Sequence, residues 1–379
     1  MKSPEYYKGK EQTYLKHFFL EQYLETVAAH IGYSQSEFVY VDCFSGPWRA
    51  EHEDLADTSI RIALDKLNYV REQVLAPHER NPQIRAIFIE KDPTAFVALR
   101  GVLEQYHGSV KVTALPGTFE DNIPAILAEV GERFSFCFID PTGWTVSMGR
   151  IQPLLRHQPG EVVINFMYDF INRFLNSPDS ATEASIDRFY GTDAWRKLRE
   201  SPERETDIIN LYAEQVRATG KFTYVTSTKI LKPLHDRAYF HLIYATRSSK
   251  GIEKFRDVEK RLVTEQQEVR EAAQREHRME RTGQQELPLG GSDTLSPSIQ
   301  EERTRQRERA RIQLIELLTS GPQRYEKLLP VLLQIPLFWR MDLNALIADE
   351  RRMGRIGVDG MRPRHRVPGE GCVIRLLPS

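Results

Sequence analysis

Five short apolar runs, each followed by a polar or glycine-bearing turn and then a helix-length segment, constrain this chain more than any other feature. They fall at residues 38–41, 83–90, 110–115, 134–139 and 161–167. The fourth, "FSFCFI", is nearly all apolar, as expected of a strand in a parallel sheet covered on both faces. Strands alternating with helices predict an α/β domain with a mainly parallel, Rossmann-like sheet.

The intervening segments agree. Leu15, Phe18, Phe19, Tyr23, Leu24 and Val27 repeat at helical spacing, so 8–29 reads as an amphipathic helix. Residues 93–106 read as a helix with Pro93 at its start, where a missing N–H costs nothing. Helices are also expected at 59–70, 122–129 and 149–155. A polar helical insertion, about 171–219, should lie over the carboxyl ends of the strands. Residues 222–227 and 239–246 read as a last strand pair, the second alternating like an edge strand. The α/β domain is thus expected over 1–250. A charged helix and linker occupy 251–300, the helix reading as a solvated or coiled-coil-like face. "RTGQQELPLGGSDTLSPS" is rich in Gly, Pro and Ser and reads as the linker itself. Beyond it, helices at 303–318, 325–334 and 338–353 precede a β-hairpin, so 301–379 has the layout of a winged-helix domain.

Composition narrows the function. The net charge of −1 supplies no whole-protein attraction to nucleic acid or membrane, so such a signal must be regional. Cys43, Cys137 and Cys372 are far apart, without a C-x-x-C pair, which argues against a zinc ribbon or iron–sulfur cluster. No histidine spacing for a metal and no H-E-x-x-H occur. The chain shows no signal peptide and no apolar run near the roughly 20 residues that span a bilayer. A cytoplasmic protein in a reducing compartment, with no membrane partner, is expected.

Ligands of parallel α/β sheets bind beyond the carboxyl ends of the strands. Asp42, Phe44, Ser45 and Gly46 fall there after the first strand, and Glu90 after the second. Gly117, Thr118 and Phe119 follow the third, suited to an adenine edge and face, and Asp140-Pro141-Thr142-Gly143-Trp144 follows the fourth. A carboxylate at Glu90 can accept both ribose hydroxyls. A dinucleotide fingerprint needs G-x-G-x-x-G with an acid about 20 residues later. Only Gly46 is present, and Glu90 lies much farther on, so NAD and FAD are disfavoured; a P-loop is absent. The set suits S-adenosylmethionine, whose amino-acid end the acid at the first strand can serve directly or through water.

At these residues the chain resembles the three-Cys-motif partner proteins (TcmP). "KEQTYLKHFFLEQYL", "YVDCFSGP", "FIEKD", "FIDPTGW" and "VVINFMYDFINRF" carry the resemblance over most of 8–250, and the tail resembles the winged-helix domain of many members. The resemblance implies a class I methyltransferase-like fold, S-adenosylmethionine as cofactor, and a three-Cys-motif, radical-enzyme-like protein as partner. Asp42, Phe44 and Gly46 match its cofactor turn, Glu90 its ribose acid, and Asp140, Pro141 and Gly143 its fourth-strand motif. Two positions depart from the family: Trp48 replaces a frequent glycine, and Thr118 a frequent acid. These departures leave open a catalytically weak shell that serves its partner in a modification or phage-defence system.

The fourth-strand turn also resembles the Asp-Pro-Pro-aromatic motif of amino-methyltransferases, with Thr142 in place of the second proline. There Asp140 and the Pro141 carbonyl would accept the N–H groups of a base amine, and Trp144 would stack on the flipped base. The bland reading makes Asp140 a turn cap and Trp144 core. Lys16 and His17 read as helix surface, or as a lid over the site. Arg173 reads as a phosphate contact or an ion pair, with Asn165 and Asn172 on the same rim. In the tail, residues 321–379 hold ten Lys or Arg against six Asp or Glu. Arg340, Arg351, Arg352, Arg362, Arg364 and Arg366 are the candidate contacts to DNA or RNA, with protein docking as the alternative.

Overall fold

The computed structural model describes residues 3–46, 58–283, 295–361 and 365–378. Trp48, Arg362 and Arg364 lie outside the described residues. The elements run α1 (Glu11–Ser34), β1 (Glu37–Asp42), α2 (Ser59–Tyr69), β2 (Gln83–Glu90), α3 (Pro93–Glu104), β3 (Lys111–Pro116), α4 (Phe119–Val130), β4 (Phe134–Ile139), α5 (Met148–Arg156) and β5 (Gly160–Phe166). Next come α6 (Tyr168–Phe174), α7 (Ser180–Tyr190), α8 (Arg204–Gly220), the hairpin β6 (Tyr224–Leu231) and β7 (Ala238–Thr246), and α9 (Ser249–Thr282). The tail holds α10 (Pro297–Thr319), β8 (Gln323–Arg324), α11 (Tyr325–Leu332), α12 (Arg340–Arg352), β9 (Ile356–Asp359) and β10 (Val373–Leu376).

Seven strands form one sheet in the order β3-β2-β1-β4-β5-β7-β6. All pairings are parallel except those of β7, which is antiparallel to both β5 and β6. The order reverses between β1 and β4, which opens a crevice at their carboxyl ends. All six side chains of β4 are buried, because helices cover both faces. Phe19, Leu64 and Phe255 of α1, α2 and α9 pack on one face. Ile126, Ile151, Ile186 and Tyr212 of α4, α5, α7 and α8 pack on the other.

The hairpin corrects one expectation. β7 is interior, and β6 is the edge strand. The alternation read in 239–246 is real only at its start, where Tyr239 is half-buried; the rest of β7 is buried. The outer side of β6 is itself covered. The Val225 N–H donates to Gln334 Oε1 (3.3 Å) and the Leu231 N–H to Gln266 Oε1 (2.8 Å), so side chains satisfy edge groups that would otherwise invite another strand.

α9, read as a solvated or coiled-coil-like face, has a buried side along Gly251–Arg270 and exposed charges on the other. It packs along α1, and Arg256, Glu259, Gln266 and Arg270 are buried on it. Arg256 Nε donates to the Leu333 carbonyl (2.7 Å) and Nη1 to Glu259 Oε1 (2.5 Å), while Trp339 Nε1 donates to Glu259 Oε2 (3.0 Å). A buried pair of this kind is costly to break from one side. It welds the tail to the sheet edge, and tail residues Leu314, Leu328, Phe338 and Ile374 belong to the same apolar cluster as Phe19 and Phe255. The tail's own sheet has three strands, β8-β10-β9, one more than the expected hairpin.

α1 is pinned at depth. Tyr23 donates to Glu161 Oε2 (2.6 Å) and Thr246 to Glu161 Oε1 (2.9 Å), joining α1, β5 and β7 around a carboxyl whose pKa burial raises. Gly251 lets α9 start against that carboxyl, since a Cβ there would fall 2.2 Å from Oε1. No described helix is long and apolar enough to cross a membrane.

Candidate functional site

The loop after β1 is built on Asp42. Its buried carboxylate accepts from the Phe44 N–H (3.2 Å), Ser59 Oγ (3.0 Å) and the Tyr40 hydroxyl (3.4 Å). Burial, with a smaller push from the charge of Asp140, raises its pKa to about 6. Ser45 stitches this loop to the end of β2. Its N–H donates to the Ile89 carbonyl (2.9 Å), and its hydroxyl accepts from the Ile89 N–H (3.1 Å) while donating to the Asp42 carbonyl (3.1 Å). Ser45 therefore shapes the loop, and its side chain is spent on backbone groups.

Gly46 then crosses directly in front of Glu90. A Cβ at Gly46 would sit 1.8 Å from Glu90 Oε2, so only glycine admits the carboxylate at this place. Glu90 Oε1 accepts from the Asp92 N–H (2.6 Å). After β3, Gly117 turns at φ +103°, a conformation other residues rarely adopt. Thr118 is the N-cap of α4, accepting from the Asp121 N–H (3.2 Å) and donating to Asp121 Oδ2 (2.5 Å). The Phe119 and Phe44 rings meet with centroids 5.6 Å apart.

Asp140 follows β4 and is gripped on both oxygens. Lys16 of α1 donates to Oδ2 (2.6 Å), and Asn165 of β5 donates to Oδ1 (2.6 Å). His17, beside Lys16, faces the Tyr7 hydroxyl (3.1 Å), and burial holds its pKa down at about 3, so it is neutral. Pro141 is buried. Gly143 turns at φ +78°, and a Cβ there would meet the Phe170 ring at 2.7 Å. Trp144 points away from Asp140. Its indole packs against Phe170 and Phe174 (centroids 5.0 and 4.9 Å) and donates to Ser185 Oγ (3.1 Å).

Together these turns enclose a cavity of about 450 Å³, lined by Phe44, Gly46, Glu90, Thr118, Phe119 and Asp140 among others. That is within the range of small-molecule sites, and it lies at the crevice the strand order creates. Asp42, predicted from the sequence as a cofactor contact, is buried and is not among the residues that line it. Asp140, Thr142, Thr145 and Val146, not Trp144, supply the lining between β4 and α5. Among the described residues, no group of three His, Cys, Asp or Glu is placed to hold a metal.

The tail arginines are dispersed. Arg340 is ion-paired with Glu253 of α9. Arg352 is exposed beside Asp349 (3.3 Å), Arg351 donates to the Met361 sulfur (3.4 Å), and Arg366 is exposed. Arg173 forms an ion pair with Asp169, and His235 is an exposed loop residue. Lys16, read from the sequence as helix surface or as a lid over the site, is half-buried against Asp140. A signal existed: Leu20 and Tyr23, four and seven residues on, are both fully buried, so Lys16 shares the core-facing stripe.

The strand order and the rim cavity define a methyltransferase-like α/β fold. No protein-family model matches the chain, and no curated protein matches it. Among solved structures, a Legionella pneumophila protein of the family DUF519 is similar at 13% identity and a TM-score of 0.37, over 65% of this chain and 90% of that one. A cofactor-bound protein from MTB is similar at 12% identity and 0.31, over 60% and 79%. A loganic acid methyltransferase with SAH is similar at 11% identity and 0.26, over 70% and 88%. Likenesses this distant assign nothing further; the fold class rests on the chain's own topology.

Proposed function

We propose that this protein binds S-adenosylmethionine in the rim cavity and methylates an amine of a nucleic-acid base. The observation that carries the reading is the convergence of Gly46, Glu90, Thr118 and Asp140, from four successive strand ends, on one cavity of about 450 Å³. The residues suit the cofactor. Glu90, which lines the cavity with its Oε2 against the bare Gly46 backbone, would accept ribose hydroxyls. Phe44 and Phe119 line the cavity and offer aromatic surface for the adenine, and buried Asp42 holds the Phe44 N–H behind that lining. The cofactor supplies an electrophilic methyl group. Asp140 would accept an N–H of the acceptor amine, orient its lone pair, and take onto its carboxylate the proton that the nitrogen sheds as it gains the methyl group. Lys16 and Asn165 fix the plane of that carboxylate. Trp144 has no stacking role in this scheme.

The tail is proposed to be a winged-helix module that holds nucleic acid. Its elements run helix, strand, helix, helix, strand, strand, with the strands paired β8-β10-β9. Calorimetry with S-adenosylhomocysteine tests the cavity: binding is expected, weakened about tenfold to a hundredfold in Glu90→Ala. Absence of binding at high ligand concentration rejects the proposal.

A second reading is favoured by one observation. Both Asp140 oxygens are engaged within the chain, by Lys16 and Asn165, at 2.6 Å each. In this reading the protein is a methyltransferase-fold partner of a three-Cys-motif protein, acting in modification or phage defence. Asp140→Ala separates the two. The enzyme loses methyl transfer to nucleic acid while keeping its fold, whereas the partner keeps its biological activity.

A further inference from the structure

We infer that the exposed aromatic face of α6, beside the cavity mouth, is a docking platform for single-stranded nucleic acid. The inference rests on the methyltransferase reading and adds where and in what form substrate is received. Phe170 and Phe174 lie four residues apart on α6 and are 39% and 37% exposed, unusual for phenylalanine. Trp144 braces them from below, and the Phe170 ring abuts Gly143, next to Thr142 of the cavity wall. The aromatic face is therefore continuous with the candidate site.

Several cations border it, with one further carboxylate, Glu205, which Lys229 and His241 share. Asp169 carries two of them, Lys232 (2.9 Å) and Arg173, which leaves that cluster net positive. Arg204 donates to the Asn172 and Arg199 carbonyls, and it has no carboxylate partner among the described residues. Arg237 is exposed in the β6–β7 loop, likewise without a carboxylate partner among the described residues, and close enough to α6 to act on Tyr168. Leu234, in the same loop, is 39% exposed. Open ring faces flanked by under-neutralised cations match the chemistry of unstacked bases on a phosphate backbone. Every base has a face to stack, and each stacked base contributes about 1–3 kcal/mol. A duplex hides those faces.

Fluorescence anisotropy with short labelled single-stranded DNA, single-stranded RNA and duplex DNA tests this. Wild type should bind one or both single strands at least about tenfold more tightly than duplex. Phe174→Ala should weaken single-strand binding by about fivefold to a hundredfold, the range set by loss of one stacked base. Phe174→Tyr should restore it. Arg237→Glu, at an exposed side chain, should weaken binding several-fold and flatten its salt dependence. Wild-type affinity in both Phe174→Ala and Arg237→Glu overturns the inference, as does equal affinity for duplex. Retained S-adenosylhomocysteine binding without any nucleic-acid binding overturns this platform but spares the cavity assignment. Strand binding without cofactor binding does the reverse.

Discussion

The tail and the α6 rim are both rich in cations, yet they use them differently. In the tail, Arg303 grips Asp342 through two bonds (2.8 and 3.1 Å), Arg340 pairs with Glu253, Arg355 with Glu350 (3.4 Å) and Arg375 with Asp359 (2.9 Å). At the rim, Asp169 serves two cations at once, and Arg204 and Arg237 have no carboxylate partner among the described residues. A count of basic residues does not measure the field offered to a ligand. Intramolecular partners decide how much charge remains available, and exposed rings decide whether bases have somewhere to lie.

Four measurements break or sharpen this contrast. The largest effect belongs to the weld of the tail. Glu259→Ala leaves Arg256 buried without its carboxylate and should lower unfolding free energy by about 3–5 kcal/mol in a denaturant titration. A loss below about 1 kcal/mol would mean that the tail is not held as a fixed body. Next is Asp42. Its pKa in the folded protein, about 6, lies above its ordinary value of 3.8. The protonated form is thus favoured by folding. The associated stability is complete below pH 3.8 and is lost as pH rises through about 6, by about 3 kcal/mol at 1.36 kcal/mol per unit. Asp42→Asn should flatten this segment of the stability–pH profile; an unchanged profile would show that another group is responsible.

Glu90→Ala comes third. Loss of hydrogen bonds to a charged group is worth about 1.5–3 kcal/mol, so affinity for S-adenosylhomocysteine should fall by about tenfold to a hundredfold in calorimetry. An effect under twofold would remove Glu90 from the site. The smallest change is expected in the tail. Replacing Arg351 and Arg352 together by alanine should alter single-strand affinity by less than about threefold, since exposed charges are screened. A loss equal to that of Phe174→Ala would give these two tail arginines as large a share of single-strand binding as the α6 face.

Much of the fold was legible because period-two and period-3.6 patterns follow from backbone geometry alone. The first five strands fall where the apolar runs lie, and Gly46, Glu90 and Asp140 reach one rim because every parallel strand ends on the same side. Legibility failed where a role depends on a distant partner. Lys16 meets Asp140 across the fold; the apolar stripe of Leu20 and Tyr23 turns Lys16 inward, but nothing local to either residue names the partner. Trp144 follows Asp140 closely in sequence, but Phe170, Phe174 and Ser185 draw it elsewhere. The charge of α9 resembles a solvated surface until Leu333, Trp339 and Thr226 are seen to close over Arg256 and Glu259.

By itself, the sequence determined the α/β class, the strand-end turns and the helical tail, because short-range sterics and hydrophobic periodicity act on neighbours along the chain. Tertiary structure alone decided which charges are neutralised, which strand is the edge, and which aromatic rings stay open to solvent. Those properties depend on groups brought together from far apart in sequence, and Coulomb and packing energies depend on distance in space.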